Sequence, residues 1–529
     1  MSLDLVIRGG TVYDGSGKGP EVADVAVKDG KIAEVGRIAA RAARELAADG
    51  LAVTPGFIDI HSHSDYTLLV DPRAVSQITQ GVTLEVIGNC GFGCAPIRNI
   101  ELSRGNIYGI DDRVPLEWRS IGGYLERLEK AKPAVNVMTL VPNGQLRLAA
   151  IGLSGRAANP AEQAEMRDLL QEGMGEGAHG LSIGLEYPAE QGAGEEELTD
   201  LAAAVGRAGG IFAAHTRYRG EGAEAAVAEA IRIGEKAEVR LQVSHLIPRA
   251  GLEVGRRTIA QVERAQAKGQ DIAFDMHTRL YGTTMLSTLL PAWAAAEGKE
   301  ALARNLASGE ARAKMKQAPG IIASVGDWSR VILLDLPSMR QYSRRSLAEI
   351  AAERDQDPFD AAFDILAQEI DTLHRAMVLL MVYSEDQQRE AFAHPLCMPG
   401  SDATALAPDG PLAGQVFHGA YTWASWFWRF MVREGRALAP EAAIHKLTGQ
   451  PAAILGLSDR GRLAAGGRAD IAVFDPREFG ERATTFEPNQ IARGMRHVVV
   501  NGVPTLVDAT FTGERAGAVI RRRGPAMQF

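Results

Sequence analysis

A chain of 529 residues is too long for one ordinary core, so two or three domains are expected. Its 46% hydrophobic and 23% charged content is that of a soluble globular protein, and a formal net charge of −9 argues against nucleic acid as a main partner, because no basic excess exists to neutralise phosphates. Three cysteines (Cys90, Cys94 and Cys397) exclude a disulfide framework, and with no basic-then-apolar leader and no run of roughly 18 apolar residues the sequence predicts a cytoplasmic protein without a membrane span.

Residues 1–55 read as short strands joined by tight turns. Leu5-Val6-Ile7-Arg8-Gly9-Gly10-Thr11-Val12 is strand-like, and Val25-Ala26-Val27 and Lys31-Ile32-Ala33-Glu34-Val35 flank Lys28-Asp29-Gly30, a hairpin signal. The middle, residues 56–455, alternates short apolar runs with amphipathic stretches, as repeated β-α units do. The runs include Gly56-Phe57-Ile58-Asp59-Ile60, Thr83-Leu84-Glu85-Val86-Ile87, Val135-Asn136-Val137-Met138-Thr139-Leu140, Gly210-Ile211-Phe212-Ala213-Ala214 and Val239-Arg240-Leu241-Gln242-Val243. About 400 residues suit an α/β (β/α)8 barrel of the TIM type, which needs about 250 or more, with an insertion near 285–350. Residues 456–529 return to the early style, with a strand at Ala469-Asp470-Ile471-Ala472-Val473-Phe474 and a hairpin at Val498-Val499-Val500-Asn501-Gly502. Neither end can bury a core alone. The two are expected to pack as one small β-sandwich domain with the barrel inserted between them.

Metal-capable residues follow several of the apolar runs, where barrel strands end and this architecture places its chemistry. His61 and His63 form a His-x-His pair on one side of an extended backbone, half of a divalent-metal site. Cys90 follows Val86-Ile87-Gly88-Asn89, His215 follows Ile211-Phe212-Ala213-Ala214, and His245 follows Leu241-Gln242-Val243-Ser244. Asp402, in Pro399-Gly400-Ser401-Asp402, falls where a last strand would end. The aromatic group Tyr421, Trp423, Trp426, Phe427, Trp428 and Phe430 is either helix core or one wall of a substrate pocket. His179, His374, His394, His445 and His497 carry no supporting context and are read as structural.

On these residues the sequence resembles the amidohydrolase superfamily and, within it, the N-acyl-D-amino-acid deacylase (D-aminoacylase) family. The resemblance covers most of the chain. It runs from Val6-Ile7-Arg8-Gly9-Gly10-Thr11-Val12-Tyr13-Asp14 and Pro55-Gly56-Phe57-Ile58-Asp59-Ile60-His61-Ser62-His63 through Asn89-Cys90-Gly91, Gly184-Leu185-Glu186-Tyr187-Pro188, Ser244-His245-Leu246 and Gly400-Ser401-Asp402, to Arg460-Gly461-Arg462-Leu463 and Ala469-Asp470. It implies a tightly held Zn²⁺ on Cys90, His215 and His245, a second, weaker position lined by His61 and His63, and Asp402 near both as catalytic acid–base. Zinc can bring a bound water's pKa from about 15.7 toward ~7, and Asp402 would move that water's proton to the departing nitrogen. The implied reaction is hydrolysis of a linear amide in a small-molecule N-acyl substrate. A homo-oligomer is compatible with it.

The sequence departs from the family where the family binds a substrate α-carboxylate. Ile247 stands for its Lys, His277-Thr278-Arg279 for its Tyr-Pro-Tyr, His418-Gly419-Ala420 for its His-Pro-Arg, and Asn143 for a further histidine. A carboxylate buried without these partners would lose several kcal/mol. Either Arg279, Arg249 or Arg217 substitutes, or the substrate carries no α-carboxylate, which is the favoured reading. His277 and His418 either face the substrate or serve structure. Two alternatives stand beside a linear-amide hydrolase: a cyclic-amide or lactone hydrolase using the same metal site, and a metal-binding scaffold without catalysis.

Overall fold

The computed structural model describes residues 3–295, 298–334, 336, 338–373 and 376–522. Eight parallel strands form the barrel, counted here after the five N-terminal strands β1 (Leu3–Val12), β2 (Glu21–Lys28), β3 (Lys31–Gly36), β4 (Ala42–Ala47) and β5 (Ala52–Pro55). They are β6 (Phe57–Asp59), β7 (Val82–Ile87), β8 (Asn136–Thr139) continuing into β9 (Val141–Pro142), β10 (Gly180–Gly184), β11 (Ile211–His215), β12 (Arg240–Val243), β13 (Ile272–His277) and, late in the chain, β17 (Cys397–Gly400). Pairing runs β6-β7-β8 and β9-β10-β11-β12-β13-β17. The ring closes just past the strand ends, where Asp402 N donates to His61 O at 2.8 Å and His63 N to Ala403 O at 2.9 Å.

Both faces of such a sheet are buried, which is why its strands read as apolar runs rather than alternating ones. Every residue of β7, β10 and β11 is buried. Inside, alternate residues interlock: Ile58 and Ile60, Leu84 and Val86, Met138 and Leu140, Ile211 and Ala213, with Ala273 and Met398. The intervening helices carry ordinary start signals. Asn159 caps Pro160–Glu176 in a reciprocal pair with Glu162 and with proline in the first turn, and Glu195–Arg207 opens on three glutamates that suit the positive end of its dipole.

The chain's two ends share one nine-stranded sheet. Strand β5 pairs antiparallel with β18 (Ile471–Phe474), which continues through β19 (Met495–Val500) and β20 (Val503–Val507) to β21 (Thr510–Phe511). The sheet curls over itself around a shared core, since Ile32 of β3 and Val499 of β19 belong to the same cluster as Leu5, Val25 and Val473. Beyond it, residues 517–522 form a strap beneath the barrel: Val137 N donates to Ala518 O at 2.9 Å, Ile520 N to Val137 O at 2.8 Å and Arg522 N to Gly177 O at 2.9 Å.

Two compact units divide the chain. The sheet and barrel make one, and residues 279–388 with 249–252 make the other. The second holds a three-stranded antiparallel sheet, β14 (Gly282–Met285), β15 (Val331–Leu333) and β16 (Met377–Leu380), in the order β14-β16-β15, with helices Leu347–Glu353 and Pro358–Gln368. It extends beyond the insertion expected at 285–350. Those two helices and β16 look, residue by residue, like one more β-α unit, and only their pairing with β14 and β15 assigns them elsewhere.

The aromatic group after residue 420 is helix core: Trp423, Phe427 and Trp428 are buried, Trp423 Nε1 donates to Gln77 Oε1 at 3.0 Å and Trp428 Nε1 to Pro476 O at 3.0 Å.

Candidate active site at the carboxyl ends of the barrel strands

The inward alternation of Ile211 and Ala213 continues to His215, and that of Ala273 to Asp275 and His277, so each strand aims its last side chains at the barrel axis. His61 Nε2 lies 3.2 Å from Cys90 Sγ, which lies 3.4 Å from His245 Nε2. Asp402 Oδ1 stands 3.1 Å from His63 Nε2 and 3.6 Å from His61 Nε2. Two donor groups result, His61-Cys90-His245 and His61-His63-Asp402, each with its ligand atoms within 4.8 Å of one another.

His61 therefore belongs to both groups. The partition implied by the resemblance, with Cys90, His215 and His245 on one ion and His61 and His63 on another, is not the one these distances draw. His215 is adjacent, its ring 4.6 Å from that of His245, but its Nε2 pairs with Glu186 Oε2 at 3.0 Å. Glu186 stands two residues beyond β10, and its role is not visible in the sequence. An acid inside a motif resembles any loop acid until its partner is known.

Behind His61 sits a second residue that sequence reasoning passes over. Asp275 Oδ1 and Oδ2 accept from His61 Nδ1 at 3.1 and 3.2 Å, and the same carboxylate accepts from His245 N at 2.8 Å and Gln242 Nε2 at 2.5 Å. With Nδ1 donating to Asp275, Nε2 of His61 is the nitrogen turned toward Cys90, the support that metal-binding imidazoles require. Its signal is a charge embedded in the apolar run Ile272-Ala273-Phe274-Asp275-Met276.

The electrostatics suit a divalent cation. Burial pushes the Cys90 thiol up to about 11 against the pull of His61. Burial, then Arg219 and His215, hold His245 well below the ordinary imidazole range. His61 is desolvated too, yet Asp275 and Cys90 hold its pKa well above the usual value. A divalent ion would take the place of the thiol proton and of the second proton that His61 holds, and would meet an already neutral His245; a thiolate with imidazoles is a zinc donor set.

The expected substrate contacts fare differently. Arg217 turns to structure, donating to Glu229 at 2.9 Å and to the carbonyls of Ala193 and Gln191 at 2.6 and 3.1 Å. The acid that claims it lies on the following helix, Ala223–Lys236, where the sequence of the Arg217 loop gives no hint of it. His418 is buried with Nε2 against Thr485 O at 2.8 Å, anchoring a loop. His277 is buried with its ring 6.5 Å from that of His245. Arg249 and Arg279 belong to the second unit, where the Arg279 carbonyl accepts from Gln388 Nε2 at 2.8 Å. Ile247 is fully buried, and a cation that no motif marks, Arg219, donates to the carbonyls of His245 at 2.7 Å and Ile247 at 3.3 Å. Asn143 Nδ2 donates to Glu190 Oε2 at 2.7 Å beside Gly91. His374 lies outside the described residues.

A (β/α)8 barrel with thiol, imidazole and carboxylate donors gathered at its strand ends defines a metal-dependent hydrolase. The model of the amidohydrolase family matches residues 44–506, and the chain belongs to that family, in its N-acyl-D-amino-acid deacylase branch. The D-aminoacylase of Alcaligenes xylosoxydans xylosoxydans is 32% identical over 526 residues, 98% of each chain. The N-acyl-D-aspartate deacylase of the same organism is 33% identical over 522 residues, 97% of this chain and 93% of the relative. Among solved structures, N-acyl-D-glutamate deacylase from Bordetella bronchiseptica, complexed with zinc and a phosphonate inhibitor, has a TM-score of 0.80 at 29% identity, covering 99% of this chain and 100% of the other. A D-hydantoinase with a TM-score of 0.57 at 15% identity shares the fold. The protein is an amidohydrolase of C–N bonds other than peptide bonds. Among the described residues, no helix is long and apolar enough to cross a membrane.

Proposed function

We propose that this protein is a zinc-dependent deacylase that hydrolyses the linear amide of a small N-acyl compound, an N-acyl-D-amino acid or a related N-acyl amine. Cys90, His61 and His245 would hold the metal, with His63 and Asp402 bordering it and His215 beside it. When bound, zinc supplies a Lewis acid that lowers the pKa of water toward ~7.

The observation that carries the proposal is the meeting of Asp402 with His61 and His63 next to Cys90 and His245. Asp402 accepts a proton from the attacking water and returns it to the nitrogen as the C–N bond breaks, so one carboxylate serves both halves of the reaction. His63 orients the Asp402 carboxylate from 3.1 Å, and Asp275 fixes His61 through Nδ1, so that Nε2 is the nitrogen that would meet the metal. The buried Ile247 favours a substrate whose amine half is not gripped by a cation at that position. Names of relatives that act on N-acyl-D-aspartate and N-acyl-D-glutamate support the acylated D-amino acid.

The proposal includes a cytoplasmic location, supported by three buried free cysteines, a homo-oligomer, and domain limits at 1–55, 56–455 and 456–529. The test is titration of zinc into chelated protein while acid release from a panel of N-acyl compounds is followed. Metal-dependent turnover of at least one member is expected. No turnover on any would overturn the proposal.

A further inference from the structure

The metal donors are bordered on one side by an unbroken series of rings. Tyr108 lies 4.7 Å from the His63 ring, Phe92 lies 4.5 Å from Tyr108 and 4.6 Å from Tyr187, and Tyr187 lies 4.8 Å from the His215 ring. Phe417 extends the series outward, 5.7 Å from Tyr108. The series thus spans from His63, which holds Asp402, to His215 at the opposite edge. All four aromatic side chains are half-buried, keeping part of each surface available.

The rings stand on fixed backbone. Phe92 is two residues past Cys90, and its loop is tied to the loop of Tyr108, since Asn106 Nδ2 donates to Gly91 O at 2.7 Å and Gly93 N to Asn106 O at 3.2 Å. Gly184, the last residue of β10, lets Tyr187 come close: a Cβ there would stand 2.0 Å from Cys90 O and 2.6 Å from the Tyr187 ring. Phe417 packs against Leu406, Leu412 and Tyr421. Such a surface is built before a ligand arrives, so little ordering accompanies binding.

We propose that Phe92 and Tyr187, the part of this series that leads to His215, form the acyl-binding wall of the enzyme, and that it selects N-acyl compounds whose acyl group is aromatic or similarly broad and apolar. This rests on the deacylase reading above. The direction follows from Asp402: the scissile nitrogen must face the carboxylate that protonates it, at the His61–His63 edge where Tyr108 stands, so the acyl group points toward the His215 edge and lies over Phe92 and Tyr187. A planar apolar group there gains stacking contacts and loses water from both surfaces. An acetyl group is too small to cover them.

Calorimetric titration of the zinc-loaded protein with benzohydroxamic and acetohydroxamic acids tests the wall without requiring turnover, because both carry the same metal-binding head. The expected result is tighter binding of the benzoyl compound by about 10-fold or more, with that ratio falling toward one in Phe92→Ala and in Tyr187→Ala. Neither side chain is a metal donor, and the zinc content of each variant, measured by elemental analysis, guards against loss of the site itself. Equal affinities in the wild type, or a benzoyl preference that survives both substitutions, would overturn the wall. Failure of every N-acyl compound to turn over, with the hydroxamate preference intact, would instead remove the deacylase reading alone.

Discussion

Cys90, His245 and Asp402 all hold left-handed backbone, with φ of 54°, 33° and 46°. Such conformations in residues with a Cβ cost of the order of 1–3 kcal/mol each and persist where the surroundings impose them. Here they turn the side chain back over the strand end after two or three residues, which an ordinary loop could not do in that length. The strain therefore serves the convergence on His61. Replacing Asp402 by Asn keeps the shape and the neighbours but removes the base. Zinc content measured by elemental analysis should stay near wild type while kcat falls about 10²–10⁴-fold. Replacing Asp275 by Asn should do the reverse: zinc affinity, measured by competition with a chelator, should fall about 10–100-fold, because the carboxylate that orients His61 is gone.

Glu85 offers a third residue-scale test, directly behind the metal donors His61 and His63. Its carboxyl is buried with Oε1 accepting from Ser62 Oγ at 2.7 Å and Ser64 Oγ at 2.6 Å, and burial, with Asp59 nearby, raises its pKa from 4.5 to about 8. An acid held neutral in the fold binds its proton more tightly than the unfolded chain does. Its contribution is complete below pH 4.5 and is lost as pH rises toward 8, by an amount of the order of a few kcal/mol. Glu85→Gln removes the titration, so in urea unfolding the variant should gain on wild type progressively between about pH 5 and pH 8. A difference that does not change with pH would contradict the raised pKa.

At the scale of elements, the barrel was legible because apolar runs recurring at this spacing fit few architectures besides repeated β-α units. The donors were legible because each ends such a run. His61, His63, Cys90, His245 and Asp402 are brought together as that pattern implies. Which of their ligand atoms stand nearest one another was not legible, since that depends on backbone dihedrals and on Asp275 and Glu186, whose partners lie on other strands. The length of the second unit was hidden for a similar reason: β16 is distinguished from a barrel strand only by antiparallel partners. The strap at 517–522 was hidden altogether, being too short and irregular to carry a period. It is testable. His179 Nε2 donates to Ile520 O at 2.7 Å, so His179→Ala should cost about 1 kcal/mol and speed amide exchange at Ile520 and Arg522 beyond that of the barrel strands. Exchange unchanged at the strap would show that the contact does not hold it.

For the molecule as a whole, the ends of the chain are the least separable parts. Val473 is fully buried in the core that also contains Leu5 and Val25. Its strand, β18, pairs with β5 on one side and β19 on the other, and so joins the N-terminal strands to the C-terminal ones. An unpaired charge at its centre would disrupt both halves at once. Val473→Asp should therefore lower the Tm of the whole unit, by an amount corresponding to more than about 4 kcal/mol, and abolish activity although no donor is touched. Thermal unfolding followed by circular dichroism would show this as a single early transition. Loss of only a small fraction of the signal would mean that the barrel stands without the sheet.

The strap gives the chain an order of assembly. Strands β6 to β13 are made early and can find their neighbours, but β17, which closes the ring, follows more than a hundred residues later, and the segment that lies across the lower ends of β8 and β10 emerges later still. During synthesis the nascent barrel thus waits, open at one seam and uncovered at its floor, for residues still in the ribosome. Closure of the catalytic rim, where Asp402 meets His61, is consequently a late event, and a ribosome stalled before residue 397 carries a chain in which hydrolysis cannot yet occur.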